Sequence, residues 1–384
     1  MKFVFYTNSI SPHQLPLANE LVSLLGEENY RYIYRDELST ERKDLGWENK
    51  ISDVWCKHGD DNAVRLENPE ILMSGIRALD VFESRAKENK KTFYCSERWF
   101  KPTIGFLRVF VPSYFKMARR IVKLLNESEN FYYLPMGIHA ARDMARLCGL
   151  MNGDWKCLFR APKLDFERKP GGRIWISGES RNTQNTRIYC LDKMRMWGYF
   201  VESGNGERGM VNGGEEVKVL WVGRLLKLKR VDTIIKAVGE CSKSKKITLD
   251  IYGLGPEEAK LKKLAAKYGD VIKFYPPVSI REVRKLMREH DVYVLSSNAY
   301  EGWGAVVSEA LEEEMAVLGT YEAGSSATIL PEGNLFSAGD WRRLKKILLN
   351  DILQINIGLW TAKGASTALI EDIKSVHNKN ICNK

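Results

Sequence analysis

The sequence predicts an α/β chain folded as two doubly wound domains, each a parallel sheet with helices on both faces, and three observations predict it. At 384 residues the chain is too long for one ordinary hydrophobic core, which makes two domains the expectation. Short apolar runs alternate with longer amphipathic segments along its length, the pattern of strand and crossover helix. That alternation breaks at 203–216, where SGNGERGMVNGGEE holds five glycines in fourteen residues, and then restarts. The expected division is a first domain at 1–203, a linker at 204–216, a second domain at 217–355 and a terminal segment at 356–384.

Taken in order, 2–7, 30–34, 70–73, 92–95 and 131–134 read as strands of the first half. Ser11-Pro12 offers a cap and a first-turn proline for a helix running to Leu25, and a second helix covers 76–88. The Gly- and Arg-rich stretch 150–193 reads as loops with short elements, and 194–202 as a last strand. In the second half, strands are expected at 217–222, 247–252, 271–275, 292–295 and 316–320, with helices at 231–241, 256–267, 280–289, 305–313 and 340–349. Open sheets of this kind take ligands at the carboxyl ends of their strands.

Composition narrows the function classes. A chain 44% hydrophobic and 28% charged is a folded protein rather than a disordered one. No apolar run reaches the length of a membrane-spanning helix, and the apolar start stops at Thr7-Asn8, too short for a secretion signal. The seven Cys are scattered and never spaced C-x-x-C, and the five His form no ligand pair, so neither a disulfide framework nor a metal site is legible. The expected compartment is a reducing cytoplasm. A net charge of +10 favours anionic partners: nucleic acid, phosphorylated metabolites or acidic lipid.

The motifs choose among them. The linker holds a literal G-x-G-x-x-G (Gly204, Gly206, Gly209), but Met-Val-Asn-Gly-Gly follows instead of a helix, so it reads as a flexible linker. After strand 217–222 comes Gly223-Arg224-Leu225-Leu226-Lys227-Leu228-Lys229-Arg230, with two cations, Arg224 and Lys229, at a strand end where a phosphate would lie. Alone, this is equally a solvated basic loop. Tyr252-Gly253-Leu254-Gly255-Pro256 is a strand-to-helix turn whose Glu257 and Glu258 complement the helix dipole and would repel phosphate. The most informative segment runs from Ser296 to Glu309. A strand ends in small polar residues, Gly302 and Gly304 open the main chain, and a helix begins near Ala305 and Val306 with free amides. Glu301 and Glu309 flank that loop, and carboxylates accept hydrogen bonds from sugar and ribose hydroxyls. Cations and amides for a diphosphate, with carboxylates for hydroxyls, describe a nucleotide-sugar pocket.

Over about 217–340 this order of motifs resembles the retaining glycosyltransferases of family 4 (group 1), of bacterial surface-polysaccharide type. It carries G-R-L-x-x-x-K, then Y-G-x-G-P, then E-G-x-G-x-x-x-x-E-A-L from Glu301 to Leu311, then Gly333-Asn334-Leu335-Phe336 with Gly339-Asp340. The resemblance implies a GT-B fold, two Rossmann-like domains facing each other across a cleft, with the terminal segment packing back toward the first. It implies that Arg224 and Lys229 hold the donor diphosphate as it leaves, that Glu301 contacts the transferred sugar, and that Glu309 binds the ribose. Gly223, Gly253, Gly302, Trp303, Gly304, Ala305 and Val306 would line the donor site, with the nucleobase near Tyr275–Val278. No metal or cofactor is implied beyond the donor itself, a UDP- or GDP-sugar; cations and amides stabilise the charge.

Departures from the family pattern are local. Glu314-Met315-Ala316-Val317 stands where G-x-P-V is usual, and Glu312–Glu314 crowds negative charge at a helix carboxyl end. Arg230 follows Lys229 where Gly is common. In the first half, Asn8 to His13 replaces a Gly-rich loop, and Ser96-Glu97-Arg98 replaces a family His. His13, Glu97, Arg98 and His139 are the acceptor-side candidates, each with a packing or ion-pair role as its alternative. Residues 98–126 hold seven cations and no acid, with aromatic residues interleaved. In a helix, Lys116, Arg119, Arg120 and Lys123 form one stripe, suited to acidic lipid at the inner face of the membrane or simply to water. The reaction expected is retaining sugar transfer from a nucleotide diphosphate sugar to a saccharide or lipid-linked hydroxyl acceptor, in polysaccharide or glycolipid synthesis. A GT-B epimerase is the first rival, and a basic nucleic-acid binder the second; no nucleic acid is expected.

Overall fold

The computed structural model describes residues 1–40, 43, 54–169, 173–178, 187–200, 211–212, 216–350, 352–353, 362–367 and 369–371. The glycines of the linker, Gly204, Gly206 and Gly209, lie outside the described residues, as does most of the terminal segment. Two compact units divide the chain, one built on Met1–Ser39, Asn49–Glu202 and Trp360–Lys384, the other on Thr40–Glu48 and Ser203–Leu359.

The first unit holds a sheet of β1 (Phe3–Thr7), β2 (Tyr30–Tyr34), β3 (Cys56–His58), β4 (Ile71–Ser74), β5 (Lys91–Ser96) and β6 (Phe131–Pro135), ordered β3-β2-β1-β4-β5-β6 and parallel at every pairing. β1 and β4 are buried at every position, which is why they read as unbroken apolar runs. Val4, Tyr6, Leu72, Phe82, Tyr94 and Phe131 anchor the core beneath the helices. Beyond the sheet, β7 (Leu164–Lys169) and β8 (Arg173–Gly178) form an antiparallel hairpin inside the stretch expected to hold short elements.

The second unit opens with β9 (Val211–Asn212). Its sheet holds β10 (Val217–Val222), β11 (Ile247–Tyr252), β12 (Ile272–Tyr275), β13 (Val292–Leu295), β14 (Ala316–Thr320) and β15 (Leu335–Phe336), ordered β12-β11-β10-β13-β14-β15 and again parallel throughout. β16 (Ile352–Leu353) pairs with β9 antiparallel. Both large sheets thus share one strand order, in which the winding direction reverses beside the first strand of each. In the second sheet that crevice lies between β10 and β13, the strands that precede the two motif-bearing loops. No helix among the described residues is long and apolar enough to cross a membrane.

Differences from the sequence expectation are confined to short elements. β3 has three residues, and the helix Asp61–Glu67 after it starts on Asp60, whose carboxylate accepts the amides of Asn62 and Ala63. The helix expected from Ser11 begins instead as a 3-10 turn, Pro12–Gln14, and continues as Leu15–Leu25. The strand expected at 194–202 is reduced to single parallel bridges, Tyr133 to Met194 and Met136 to Trp197.

Candidate active site

β10 ends at Val222, and the chain turns at Gly223 with φ +151°. Its neighbour turn at Gly253 has φ +150°, and a Cβ there would lie 1.8 Å from the Gly223 carbonyl oxygen. A Cβ at Gly255 would lie 2.4 Å from the Leu225 carbonyl oxygen. The Leu225 amide donates to the Leu254 carbonyl at 2.7 Å, and the Glu257 amide returns a bond to the Leu225 carbonyl at 3.1 Å. The two turns are therefore laced together, and only glycine fits between them at 253. Arg224 stands exposed on this platform and its guanidinium meets no hydrogen-bond acceptor or carboxylate among the described residues.

The loop then tightens into the 3-10 turn Lys227–Lys229, closed by Arg230 in the left-handed region at φ 48°. That is the backbone reason the family favours glycine at this point; here the Arg230 side chain pairs with Asp232, Nε to Oδ1, at 3.0 Å. The Ser296 hydroxyl donates to the Lys229 carbonyl at 2.6 Å, and the Asn298 amide to the Leu228 carbonyl at 2.9 Å. These bonds bring the loop after β13 against the loop after β10. Lys229 Nζ then lies 2.5 Å from Glu301 Oε2, with both side chains largely shielded (23% and 14% exposed).

From Glu301 the chain runs through Gly302, buried Trp303 and Gly304 into the helix Val306–Glu312. Ser325 holds this loop from behind: its amide donates to the Trp303 carbonyl at 2.8 Å and its hydroxyl to the Gly304 carbonyl at 2.9 Å. The Gly324 amide donates to the Gly302 carbonyl at 3.1 Å. Gly304 takes φ +83°, and a Cβ there would press on Leu295 at 2.9 Å. The amides of Gly304, Ala305 and Val306 find no backbone acceptor among the described residues. Glu309 is half-buried, and burial raises its pKa against the opposing pull of Arg284. Buried Tyr293 donates to the Val222 carbonyl at 3.2 Å.

Tyr275, at the end of β12, stacks on Tyr252 with ring centres 4.5 Å apart and planes 14° from parallel. Sequence reading singled out Tyr275 but missed its partner, and it missed Ser296 and Ser325 as supports. Tyr252 was legible as the first residue of Y-G-x-G-P; the two serines act from positions that carry no signature of their own.

Glu312 and Glu313, in the acidic run at the helix end, are paired with cations. Arg284 pairs with Glu312 and, at 3.3 Å, with Glu313, while Arg288 reaches Glu313 at 2.5 Å. Glu314 takes φ 58°, the Glu314 amide donates to the Leu311 carbonyl and the Met315 amide to the Ala310 carbonyl, at 3.1 and 3.0 Å. This is a Schellman ending, normally made on glycine, built here on glutamate. Further on, buried Asn334 donates to the Val317 carbonyl at 2.9 Å, and Asp340 caps the helix Trp341–Leu349.

The acceptor-side candidates lie on the first unit, apart in sequence and environment. His13 sits in the 3-10 turn with its ring 5.3 Å from that of Tyr199. Glu97 is half-buried at the end of β5, its carbonyl accepting from the Ser96 hydroxyl at 2.9 Å. Arg98 lies 3.6 Å from Asp143 Oδ2, the same oxygen that accepts the amides of Trp99 and Phe100 at 3.0 Å each. His139 is in the first turn of the helix Ile138–Met151, half-buried.

Residues 210–354 match the family described as glycosyl transferases group 1. That match falls within the second unit. The chain is similar to an uncharacterized glycosyltransferase of Methanocaldococcus jannaschii, 34% identical over 122 residues that make up 30% of each chain. It is also similar to the GtfA subunit of the UDP-N-acetylglucosamine–peptide N-acetylglucosaminyltransferase of Streptococcus pneumoniae, 26% identical over 32% of this chain and 24% of that one. The matched stretch thus spans less than a third of these relatives. Among solved structures, Anabaena Alr3699/HepE in complex with UDP has a TM-score of 0.62 at 13% identity, covering 98% of this chain and 100% of that one. The apo lipopolysaccharide outer core galactosyltransferase WaaB has a TM-score of 0.59 at 13% identity, over 97% and 100%. That likeness is one of fold: the two units have the doubly wound halves of a GT-B architecture.

Proposed function

We propose that the protein is a retaining hexosyltransferase that moves a sugar from a nucleotide diphosphate sugar, of the UDP or GDP kind, to a hydroxyl acceptor in polysaccharide or glycolipid synthesis. One observation carries this reading: an exposed Arg224, unpaired among the described residues, and the Lys229–Glu301 pair stand on two hydrogen-bonded loops at the switch point of the second sheet. Arg224 and Lys229 take the diphosphate oxygens, and the amides from Gly304 to Val306 add donors. Glu301, relieved of Lys229 by the arriving phosphate, turns its carboxylate to the sugar hydroxyls. Glu309 accepts from the ribose, and the Tyr252–Tyr275 stack lies by the base. The complex of the Anabaena protein with UDP supports the choice of ligand class.

In the step itself, the bond from the anomeric carbon to the diphosphate oxygen breaks, and a bond from the acceptor oxygen forms on the same face. The acceptor proton passes to the leaving diphosphate, whose negative charge Arg224 and Lys229 hold. No protein carboxylate serves as nucleophile, and neither metal nor cofactor has a part in the proposal. Thermal stabilisation by a panel of UDP- and GDP-sugars, followed by slow donor hydrolysis and NMR of the product anomer, tests it. At least one donor is expected to raise the melting temperature and to give product of retained configuration. An inverted product, no response to any nucleotide sugar, or donor epimerisation without an acceptor overturns it.

A further inference from the structure

We propose that the first unit carries a docking surface for an anionic lipid bilayer, centred on the 3-10 turn Gly105–Phe110. A 3-10 helix has three residues per turn, so residues three apart share an edge. One edge here faces inward: Phe106 and Val109 are buried, and the Phe106 ring packs edge-on against Phe100 at 4.9 Å. The next edge, Ile104, Leu107 and Phe110, is apolar as well and points to water, 49%, 65% and 66% exposed. Val111 and Phe115 extend it into the helix Pro112–Glu127, 44% and 40% exposed. Five large apolar side chains outside the core within twelve residues make a patch, not scattered surface leucines.

The charges around the patch decide what it fits. Lys101, Lys116 and Arg119 are exposed, and 98–126 contains no acid. The cationic stripe read from helical periodicity is partly dismantled in the structure: Arg120 pairs with Asp80 at 2.6 Å and Glu83 at 2.7 Å, and Lys123 faces Glu127 at 3.7 Å. The cationic apolar surface therefore sits at the amino-terminal tip of the helix rather than along it.

A second turn of the same chemistry lies beside the first. The Arg146 guanidinium rests 3.5 Å over the Phe106 ring and donates to the carbonyls of Cys157 and Leu158, at 2.7 and 3.0 Å. That bridge ties the Gly105–Phe110 turn to the 3-10 turn Trp155–Leu158, where Trp155 is 69% and Phe159 88% exposed. Lys156 and Arg160 stand exposed between these aromatics. Aromatic and aliphatic tips ringed by cations match a bilayer interface: the tips enter the acyl boundary and the cations meet lipid phosphates. This reading is independent of the donor site, since it needs no nucleotide.

Flotation of the full chain with vesicles tests it, comparing phosphatidylcholine alone with phosphatidylcholine containing phosphatidylglycerol. Binding is expected only to the anionic vesicles and is expected to weaken with salt, by about fivefold for each cation screened. The double variant Leu107→Ser, Phe110→Ser is expected to lose at least about tenfold in binding while keeping its melting temperature and its donor hydrolysis. Lys116→Glu with Arg119→Glu is expected to abolish the preference for anionic lipid. Wild-type protein absent from both vesicle types overturns the proposal. So does unchanged flotation of the serine variant, or a dimer in sedimentation that only the serine variant breaks while no vesicle binds.

Discussion

The two large sheets share one strand order, yet their carboxyl ends are finished differently. In the first unit the strand ends are filled by the unit's own side chains. Tyr6 donates to Asp61 at 2.7 Å, Arg35 closes on both, and Thr7 donates to Tyr32 at 3.1 Å. In the second unit the ends of β10 and β13 carry glycine-rich loops, an exposed Arg224 with no partner among the described residues, and a shielded Lys229–Glu301 pair. Topology therefore offers the same strand ends twice, and the side chains that stand there decide what a ligand would meet. A cation already matched by a carboxylate and a phenol has little to give to an anion, whereas one held ready beside open main chain does.

The largest expected effect comes from removing those ready cations. Arg224→Ala and Lys229→Ala should each lower turnover by on the order of a hundredfold or more. Arg35→Ala, in the closed polar cluster of the first unit, should leave donor hydrolysis within a few-fold of wild type. Steady-state kinetics of hydrolysis on the three variants checks the contrast, and equal losses from all three would erase it.

Glycine sharpens the same comparison. A Cβ at Gly253 lands on the Gly223 carbonyl, at a φ that side chains rarely adopt, whereas a Cβ at Gly75, after β4, meets nothing nearer than 3.9 Å. Gly253→Ala should cost roughly 3 kcal/mol and weaken donor binding by shifting the Gly223 turn. Gly75→Ala should stay within about 0.5 kcal/mol. Chemical denaturation of both, with nucleotide titration of the first, provides the measurement.

What the sequence made legible follows from these distances along the chain. The site of the second unit is written in runs: strand end, glycine and cation lie within eight residues at 223–230, and glutamate, glycines and helix start within nine at 301–309. The first unit assembles its polar clusters from afar. Tyr6, Arg35 and Asp61 meet across 55 residues, and Asp143 reaches Trp99 and Phe100 across more than 40. No local pattern announces such contacts. Short elements escape for a related reason: β3 is three residues long, and β15 two, too brief for a period to show. Arg120 reads as part of a basic stripe until the helix Leu79–Lys87 brings Asp80 and Glu83 to it.

Asp143, on the helix Ile138–Met151, gives the first unit a pH dependence. Burial raises its pKa to about 6, against the opposing pull of Arg98 and the amides of Phe100 and Trp99. A carboxyl with a raised folded pKa holds its proton more tightly when folded. Stability should therefore fall as pH rises from about 4 to about 6 and level off above, by at most roughly 3 kcal/mol. Both amides bond one oxygen, so Asp143→Asn can keep them through its carbonyl while removing the titration. Denaturation midpoints for the two proteins across that range should converge on the acid side and part toward neutrality. Parallel profiles would place the titrating group elsewhere.

The smallest effect lies where the second unit departs from the pattern of the family it resembles. Arg230 and Glu314 both occupy left-handed backbone, at φ 48° and 58°, in places where glycine is usual. Arg230 is bound to Asp232, and a Cβ at Gly339 would come 2.8 Å from its guanidinium, so its side chain is packed in place. Glu314 closes the helix Val306–Glu312 in a Schellman ending, where glycine is the usual residue. Left-handed backbone costs a side chain about 1–2 kcal/mol, and glycine gives back roughly 0.5–1 in chain entropy. Through the backbone, Glu314→Gly should thus return roughly 0.5–1 kcal/mol to the second unit, whereas Arg230→Gly should destabilise it through the lost pair. If denaturation finds both substitutions stabilising, backbone strain alone governs these two positions and the Arg230–Asp232 pair contributes nothing.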